Sequence, residues 1–307
     1  MWCRVAALCY NRRLPAVTRL SDRRAASWSG PALAHRRLAH PQTMSAIAAQ
    51  PQRELLLSVV IPAHNEAGLV TSTVQGMHDA LRAAGIPHEL VVVNDASHDG
   101  TGALLEALAE RLPVLRVVHR PDPPGVGRAV RAGLQAMRGD AAVIVMADGS
   151  DRPADICTYY RLLQQGYDAV FGSRFVAGGG VQGYPPLKLL INRAGNQCMR
   201  LLFGRSENDL SNALKAYHVD VLRAIGPLES EHFEIFVELP LKALAAGARV
   251  ATTPVAWHGR RAGTSKLKLA RQLPRYARVI LRLWLARCLA GGRLRRGAGV
   301  APPAVRL

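Results

Sequence analysis

The 307-residue sequence has no CxxC pair and no cysteine and histidine at metal-ligand spacing. Its five cysteines, Cys3, Cys9, Cys157, Cys198 and Cys288, are odd in number and scattered. That argues against a disulfide framework or a structural zinc site, and for free or buried thiols in a reducing compartment. Aromatic residues make up only 5% of the chain, which offers no stacking surface for nucleic acid. Residues 187–203 and 272–289 are apolar, but Lys188, Arg193 and Arg200 interrupt the first, and Arg275, Arg278, Arg282 and Arg287 the second. Neither reaches the roughly eighteen uncharged apolar residues that a membrane span requires. Both suit amphipathic helices, packed on the domain or lying in a bilayer interface. Negative charge is missing altogether beyond Glu238.

What is present is a formal charge of +18, unevenly placed. Residues 1–50 hold eight arginines against Asp22 alone, and residues 239–307 hold fifteen lysines and arginines, whereas residues 51–238 are mildly acidic. A nucleic-acid binder would need a recognition helix or a basic stripe on its folded body, so no nucleic-acid partner is expected. Basic ends on an acidic body suit an anionic membrane surface, where each cation is worth about 1 kcal/mol. The first fifty residues read as a transit peptide, a disordered basic arm, or a segment upstream of a true start at Met44. The expected organisation is an arm over 1–50, a catalytic domain over 51–269 and a basic amphipathic, membrane-associated tail over 270–307. A cytoplasmic protein, peripheral at the inner face of the membrane, follows from that reading.

Between the ends, apolar runs alternate with helical periodicity. Strands are expected at 55–61, 89–93, 115–119, 141–146 and 169–172, and helices at 68–84, 101–111 and 126–137. Strands and helices alternating at this spacing imply right-handed crossovers and an α/β fold with a doubly wound, mostly parallel sheet. Ligands in such sheets bind beyond the carboxyl ends of the strands. The polar clusters 62–66, 94–100 and 148–153 fall there, and three loops converging on one edge say more than any one of them.

Three stretches in this order, SVVIPAHNE (58–66), VVVNDASHDGT (91–101) and VIVMADGSDRP (143–153), resemble the nucleotide-binding half of family 2 glycosyltransferases. GSRFVAGG (172–179) and RRAGTSKL (260–267) are similar to motifs of the polyprenyl-phosphate sugar transferases within that family. The resemblance implies a GT-A-like, Rossmann-type fold over about residues 55–290 and an inverting transfer of a sugar, mannose favoured, from a nucleotide diphosphate to polyprenyl or dolichyl phosphate. The donor would be GDP-mannose or a UDP-sugar. Pro62, Ala63, Glu66 and Asp95 would hold the nucleoside with Ala147 and Asp148. Asp95 also has a purely structural reading as a cap of the following helix, and Asp99 reads as such a cap.

The metal motif departs from the family form, because Met146 stands where the first aspartate is usual. Asp148 matches the second and is expected to bind Mg²⁺ or Mn²⁺, with Asp151 either a compensating ligand or the cap of a helix opening at Pro153. Ser173 and Arg174 are expected to grip the acceptor phosphate, with a salt bridge as the alternative for Arg174. Arg260, Gly263, Ser265 and Lys266 form an RxxGxSK motif suited to a lipid phosphate, and Arg260 joins Asp148 and Arg174 as a catalytic candidate. Asp209 matches a family acid near the acceptor, although Asn212 replaces the usual glycine. Glu234 and Glu238, at helical spacing, face either the site or solvent. His64, His98 and His258 have no ligand-spaced partner. A family member with a non-lipid acceptor, and a non-catalytic sugar-nucleotide or anionic-lipid binder, are the rival readings.

Overall fold

The computed structural model describes residues 54–258 and 269–289. The amino-terminal arm and the RxxGxSK stretch lie outside the described residues. Strand β1 (Leu57–Ala63) is buried along its whole length, as expected of an apolar run with a helix layer on each face. It pairs in parallel with β2 (His88–Asp95) on one side and β4 (Ala141–Ile144) on the other, and β2 pairs in parallel with β3 (Leu115–Arg120). The register sets Pro62 beside Val93 and Ala63 beside Asn94, so the loops after β1 and β2 leave the sheet side by side.

The sheet continues through β7 (Lys215–His218), β5 (Ala169–Ser173) and β8 (Val250–Pro254), in the order β3-β2-β1-β4-β7-β5-β8. Among these seven strands β7 alone runs antiparallel to its neighbours. The sequence does not announce β7, since the four residues KAYH carry neither an apolar run nor an alternation. A small parallel pair, β6 (Gly180–Gln182) and β9 (Ala256–His258), stands apart from the main sheet.

Side-chain alternation along the strands feeds two cores, one on each face. Helices α1 (Val70–Ala83), α2 (Thr101–Ala109) and α4 (Pro153–Gln164) cover one face through Val74, Met77, Leu105, Ile156 and Tyr159. The other face carries α3 (Val126–Ala136), α5 (Pro186–Phe203), α6 (Val219–Ala224), α7 (Ile235–Ala245) and α8 (Leu269–Leu289). Helix α8 packs inward through Tyr276, Ile280, Leu283 and Trp284, while Leu273, Leu281, Leu285 and Leu289 form an exposed ridge at multiples of four residues. Arg287 reaches across to the Leu202 carbonyl of α5, whose Leu187, Leu190 and Leu201 are likewise exposed. No helix among the described residues is long and apolar enough to cross a membrane.

Candidate active site

The carboxyl ends of β1, β2, β4 and β5 converge on one edge of the sheet. After β1 the chain turns through Asn65, in the left-handed region at φ 51°, and starts α1 on the Glu66 carbonyl, which accepts the Leu69 and Val70 N–H groups. This turn is stitched to the loop after β2: Glu66 N–H donates to the Thr101 hydroxyl (2.9 Å), Asn65 N–H to Ser97 Oγ (3.0 Å), and Ala67 N–H to Asp99 (3.1 Å). Asp99 also accepts the Thr101 N–H at 3.1 Å, and so clasps the first loop to the start of α2; the N-cap itself is Gly100, with no side-chain cap, so the capping role expected of Asp99 is not realised.

Asp95 does not cap α2. One carboxylate oxygen takes the Gly125 N–H at 2.6 Å, at the head of α3, and the other is ion-paired with Arg120 from the end of β3. A base seated here would meet a carboxylate already oriented by two donors. The wall continues into the turn 229–234. Gly127 N–H donates to the Glu231 carbonyl (3.0 Å), and Arg128 pairs with the Glu231 carboxylate (2.7 Å). A β-carbon on Gly125 would stand 2.5 Å from that carbonyl, so only glycine permits the approach.

The metal motif lies after β4. Thr73 of α1 donates to the Ala147 carbonyl at 3.1 Å, Asp148 accepts the Ser150 N–H at 3.1 Å, and Asp151 folds back to accept the Met146 N–H at 2.8 Å. Helix α4 has no side-chain cap, which removes the capping role considered for Asp151. Burial, and beyond it the nearby Asp148 and Asp155 carboxylates against the opposing Met146 N–H, pushes the Asp151 carboxyl up to about 7. Two carboxylates crowded on one turn fit a hard divalent cation whose shell is completed by diphosphate oxygens and water. Among the described residues no cluster of three or more acid, histidine or cysteine side chains offers a fuller ligand set.

Ser173 and Arg174 end β5 beneath a polar network. The Ser173 hydroxyl donates to Asn208 (2.6 Å), and Arg174 grips Asp209 in a fork, Nε to Oδ2 and Nη2 to Oδ1, each at 2.7 Å. The salt-bridge alternative for Arg174 is therefore realised, but in the interior. Asp209 outweighs the burial that would otherwise discharge the guanidinium. A phosphate at Arg174 would share the guanidinium with Asp209. Asn192 and Asn196 of α5 join the network through the Ser211 hydroxyl, each at 2.9 Å.

Glu234 and Glu238 both turn inward, not to solvent. Glu238 is fully buried and accepts the Ser230 N–H (2.7 Å) and the Lys242 ammonium (2.9 Å), with Arg282 of α8 at 3.2 Å. Sequence reasoning missed Arg120, whose partner is a strand away, and Lys215, which is 1% exposed. The Lys215 ammonium donates to the Asn212 carbonyl and lies 5.7 Å from the Phe171 ring centroid. Burial pushes it down to about 7, with Asp209 opposing and Arg174 assisting the shift. The unfolded chain therefore binds more protons than the folded one from about pH 7 up to the ordinary lysine range, and stability should rise with pH across that window by up to about 1.4 kcal/mol per unit. Lys215→Met should be more stable than the native chain at pH 7, with the advantage shrinking by pH 9.5. Urea midpoints of both proteins at the two pH values check this, and a pH-independent difference would refute it.

A mostly parallel sheet with helices on both faces and polar loops at its carboxyl edge is an α/β architecture of the GT-A type. The description "Glycosyl transferase family 2" matches residues 58–226, and the chain belongs to that family of glycosyltransferases. It is 32% identical over 215 residues to the polyprenol monophosphomannose synthase of Mycolicibacterium smegmatis, covering 68% of this chain and 80% of that one. It is also 32% identical to the undecaprenyl-phosphate mannosyltransferase of Micrococcus luteus, covering 68% and 86%. Among solved structures, glucosyl-3-phosphoglycerate synthase from Mycobacterium tuberculosis in complex with Mn²⁺, UDP and glucosyl-3-phosphoglycerate superposes with a TM-score of 0.55 at 20% identity, covering 76% of this chain and 80% of that one. At that identity the likeness concerns the fold.

Proposed function

We propose that the protein transfers mannose from GDP-mannose to a polyprenyl phosphate, with inversion, at a membrane surface. The observation that carries this reading is the 32% identity to two relatives named for mannose transfer to, or onto, polyprenyl phosphates. The site supports it chemically. Pro62, Ala63, Glu66 and Asp95 would flank the nucleoside, with Ala147 and Asp148 at the diphosphate. Asp148 and Asp151 would hold Mg²⁺ or Mn²⁺, which when bound supplies charge neutralisation of the leaving diphosphate. A lipid phosphate is already ionised and needs no strong general base, so proximity and electrostatic stabilisation do the work. Arg260, Ser265 and Lys266 would bring the lipid phosphate to the donor, with Ser173 and Arg174 shaping that side. A UDP-sugar donor is the second reading, since the Asp95 carboxylate can accept from a ring N–H of uracil as well as of guanine.

The test incubates the full chain with radiolabelled GDP-mannose or UDP-glucose, a polyprenyl phosphate and Mg²⁺ or Mn²⁺, with and without excess chelator. Butanol-extractable label from GDP-mannose, lost on chelation, is expected. Label from UDP-glucose alone would move the donor to the second reading, and none from either would overturn the function. The exposed leucine ridges of α5 and α8, beside the exposed Arg193 and Arg278, support a peripheral seat on the inner leaflet, with the acyl chains taking the leucines and anionic headgroups the arginines. Leu285→Ser with Leu289→Ser should weaken cosedimentation with anionic vesicles severalfold and leave GDP binding intact. Unaltered sedimentation would remove α8 from the interface.

A further inference from the structure

Helix α8 grips the turn 229–234, and that turn grips the head of α3, where Asp95 is held. The α3 side leaves no slack. The Glu231 carbonyl accepts the Gly127 N–H (3.0 Å) and the Arg128 N–H (3.2 Å), the Glu231 carboxylate pairs with the Arg128 guanidinium (2.7 Å), and Arg131 donates to the Leu228 carbonyl (2.8 Å). A β-carbon on Gly125 would stand 2.5 Å from the Glu231 carbonyl oxygen, and one on Gly127 would stand 2.5 Å from that of Ser230, so backbone rests directly on backbone. The Gly125 N–H in this same stretch is the one that donates to Asp95, at 2.6 Å. A displacement of the turn is therefore passed on to the groups that orient Asp95, because close-packed elements have no free volume in which to absorb it.

The α8 side is looser. Tyr276 donates to the Phe233 carbonyl (3.2 Å) at one end of the turn, and Arg282 pairs with Glu229 at the other. Between them Glu238 accepts the Glu229 and Ser230 N–H groups (3.1 and 2.7 Å) and faces both Lys242 (2.9 Å) and Arg282 (3.2 Å). Two cations thus meet two carboxylates, and the cluster carries no net charge. The Glu229 side chain is 61% exposed and that of Arg282 38%, and an ion pair so open to water holds weakly. Leu281 precedes Arg282 and Leu285 follows it by three residues, and both belong to the exposed ridge of α8. Seating that ridge in a bilayer interface would draw water away from the flank where Arg282 meets Glu229. Opposite charges attract more strongly as the surrounding dielectric falls, so the grip of α8 on the turn would tighten there.

We propose that the turn 229–234 couples the membrane seat of α8 to the nucleotide site, with Tyr276 and Arg282 as the positioning residues, so that the donor nucleotide binds more tightly to the membrane-seated protein than to the protein in solution. The sign follows from ordering. A turn clamped by α8 fixes the head of α3 and Asp95 before the nucleotide arrives, and less of the binding free energy is then lost in ordering them. By linkage, the nucleotide strengthens membrane binding by the same factor. The inference rests on the interfacial seat of α8 in the reading above, and not on the identity of the sugar or of the acceptor.

The test measures one coupling from both ends. Calorimetry gives the GDP and UDP affinities of the full chain with Mg²⁺, in solution and on saturating vesicles of equal parts phosphatidylglycerol and phosphatidylcholine. Cosedimentation gives the vesicle affinity with and without saturating nucleotide. The nucleotide that the native chain binds should bind at least about fivefold more tightly on vesicles, and vesicle affinity should rise with nucleotide by an equal factor. Tyr276→Phe keeps the ring and loses the bond to Phe233, and Arg282→Gln leaves Glu238 its Lys242 partner, so both should fold. Each should lower the ratio, and the double variant should bring it to within about twofold of unity while still sedimenting through its leucine ridge. A residue that served only the fold would not move this ratio. Unchanged nucleotide affinity in a native chain that does sediment with vesicles would overturn the coupling and leave the membrane seat standing. A full ratio surviving in the double variant would overturn the turn as the coupling element. A chain that does not sediment at all would overturn the membrane seat, and the coupling with it.

Discussion

Asp148→Ala should lower sugar transfer by about 10²- to 10³-fold or more, while the protein keeps its fold and its thermal midpoint changes little. The magnitude follows from the loss of one preorganised group acting on charge that develops in the transition state. A larger effect is expected here than at Asp151, because Asp148 stands at the position of the second aspartate of the family's metal motif and Asp151 does not. Each gives one carboxylate oxygen to a backbone N–H of the turn, Asp148 to Ser150 and Asp151 to Met146. In Asp151→Asn the amide could turn its oxygen to that N–H and keep the turn, so a weaker metal and a milder loss are expected. Titrating activity with Mn²⁺ separates the two: Asp151→Asn should recover at higher metal concentration, and Asp148→Ala should not. Full turnover of Asp148→Ala, or turnover of the native enzyme in excess chelator, would detach the carboxylate from catalysis.

The donor half was readable in the sequence because its signals are local. Each of the first four strands is a short apolar run ended by a polar cluster, and parallel strands with a helix on each face leave few alternatives to β1, β2 and β4 side by side. The observed strands and helices differ from the expected bounds by a residue or two at their ends, which is the scale on which helix ends and strand ends fray. What the sequence did not yield is pairwise. That Asp95 is held by Arg120 and by the Gly125 N–H depends on which strand lies beside which. Likewise, Arg174 closing on Asp209 requires β7 to return antiparallel between β4 and β5. A salt bridge was one of two readings for Arg174, and only the fold could say that it is internal. Glu234 and Glu238 were visible as a helical pair, but periodicity could not tell solvent from interior. Both lie inside because the turn 229–231 and α8 close over them, bringing donors from residues near and far.

The second large effect concerns that internal pair. Asp209→Ala should destabilise the protein by about 3–5 kcal/mol, since it leaves the buried Arg174 guanidinium with no counter-charge. For a described body of this size, each kilocalorie moves the melting point by about 2–4 °C, so a fall of roughly 6–20 °C is expected. Asp209→Asn should fall between the native chain and the alanine variant, because it keeps an oxygen for Arg174 and loses the charge. Replacing both partners with apolar side chains, as in Arg174→Met with Asp209→Leu, removes the stranded charge and should restore most of the stability. Activity should not return with it. The pair also carries Asn192 at 3.4 Å and, through Ser211, Asn196 of α5, so the ion pair fixes the end of β5 relative to the helix that presents Leu187 and Leu190. A stable but inactive double variant would show that the pair serves the reaction as well as holding the fold. Calorimetric melting of the four proteins beside their transfer rates decides this, and a double variant as unstable as Asp209→Ala would place the cost in lost packing and not in the unpaired charge.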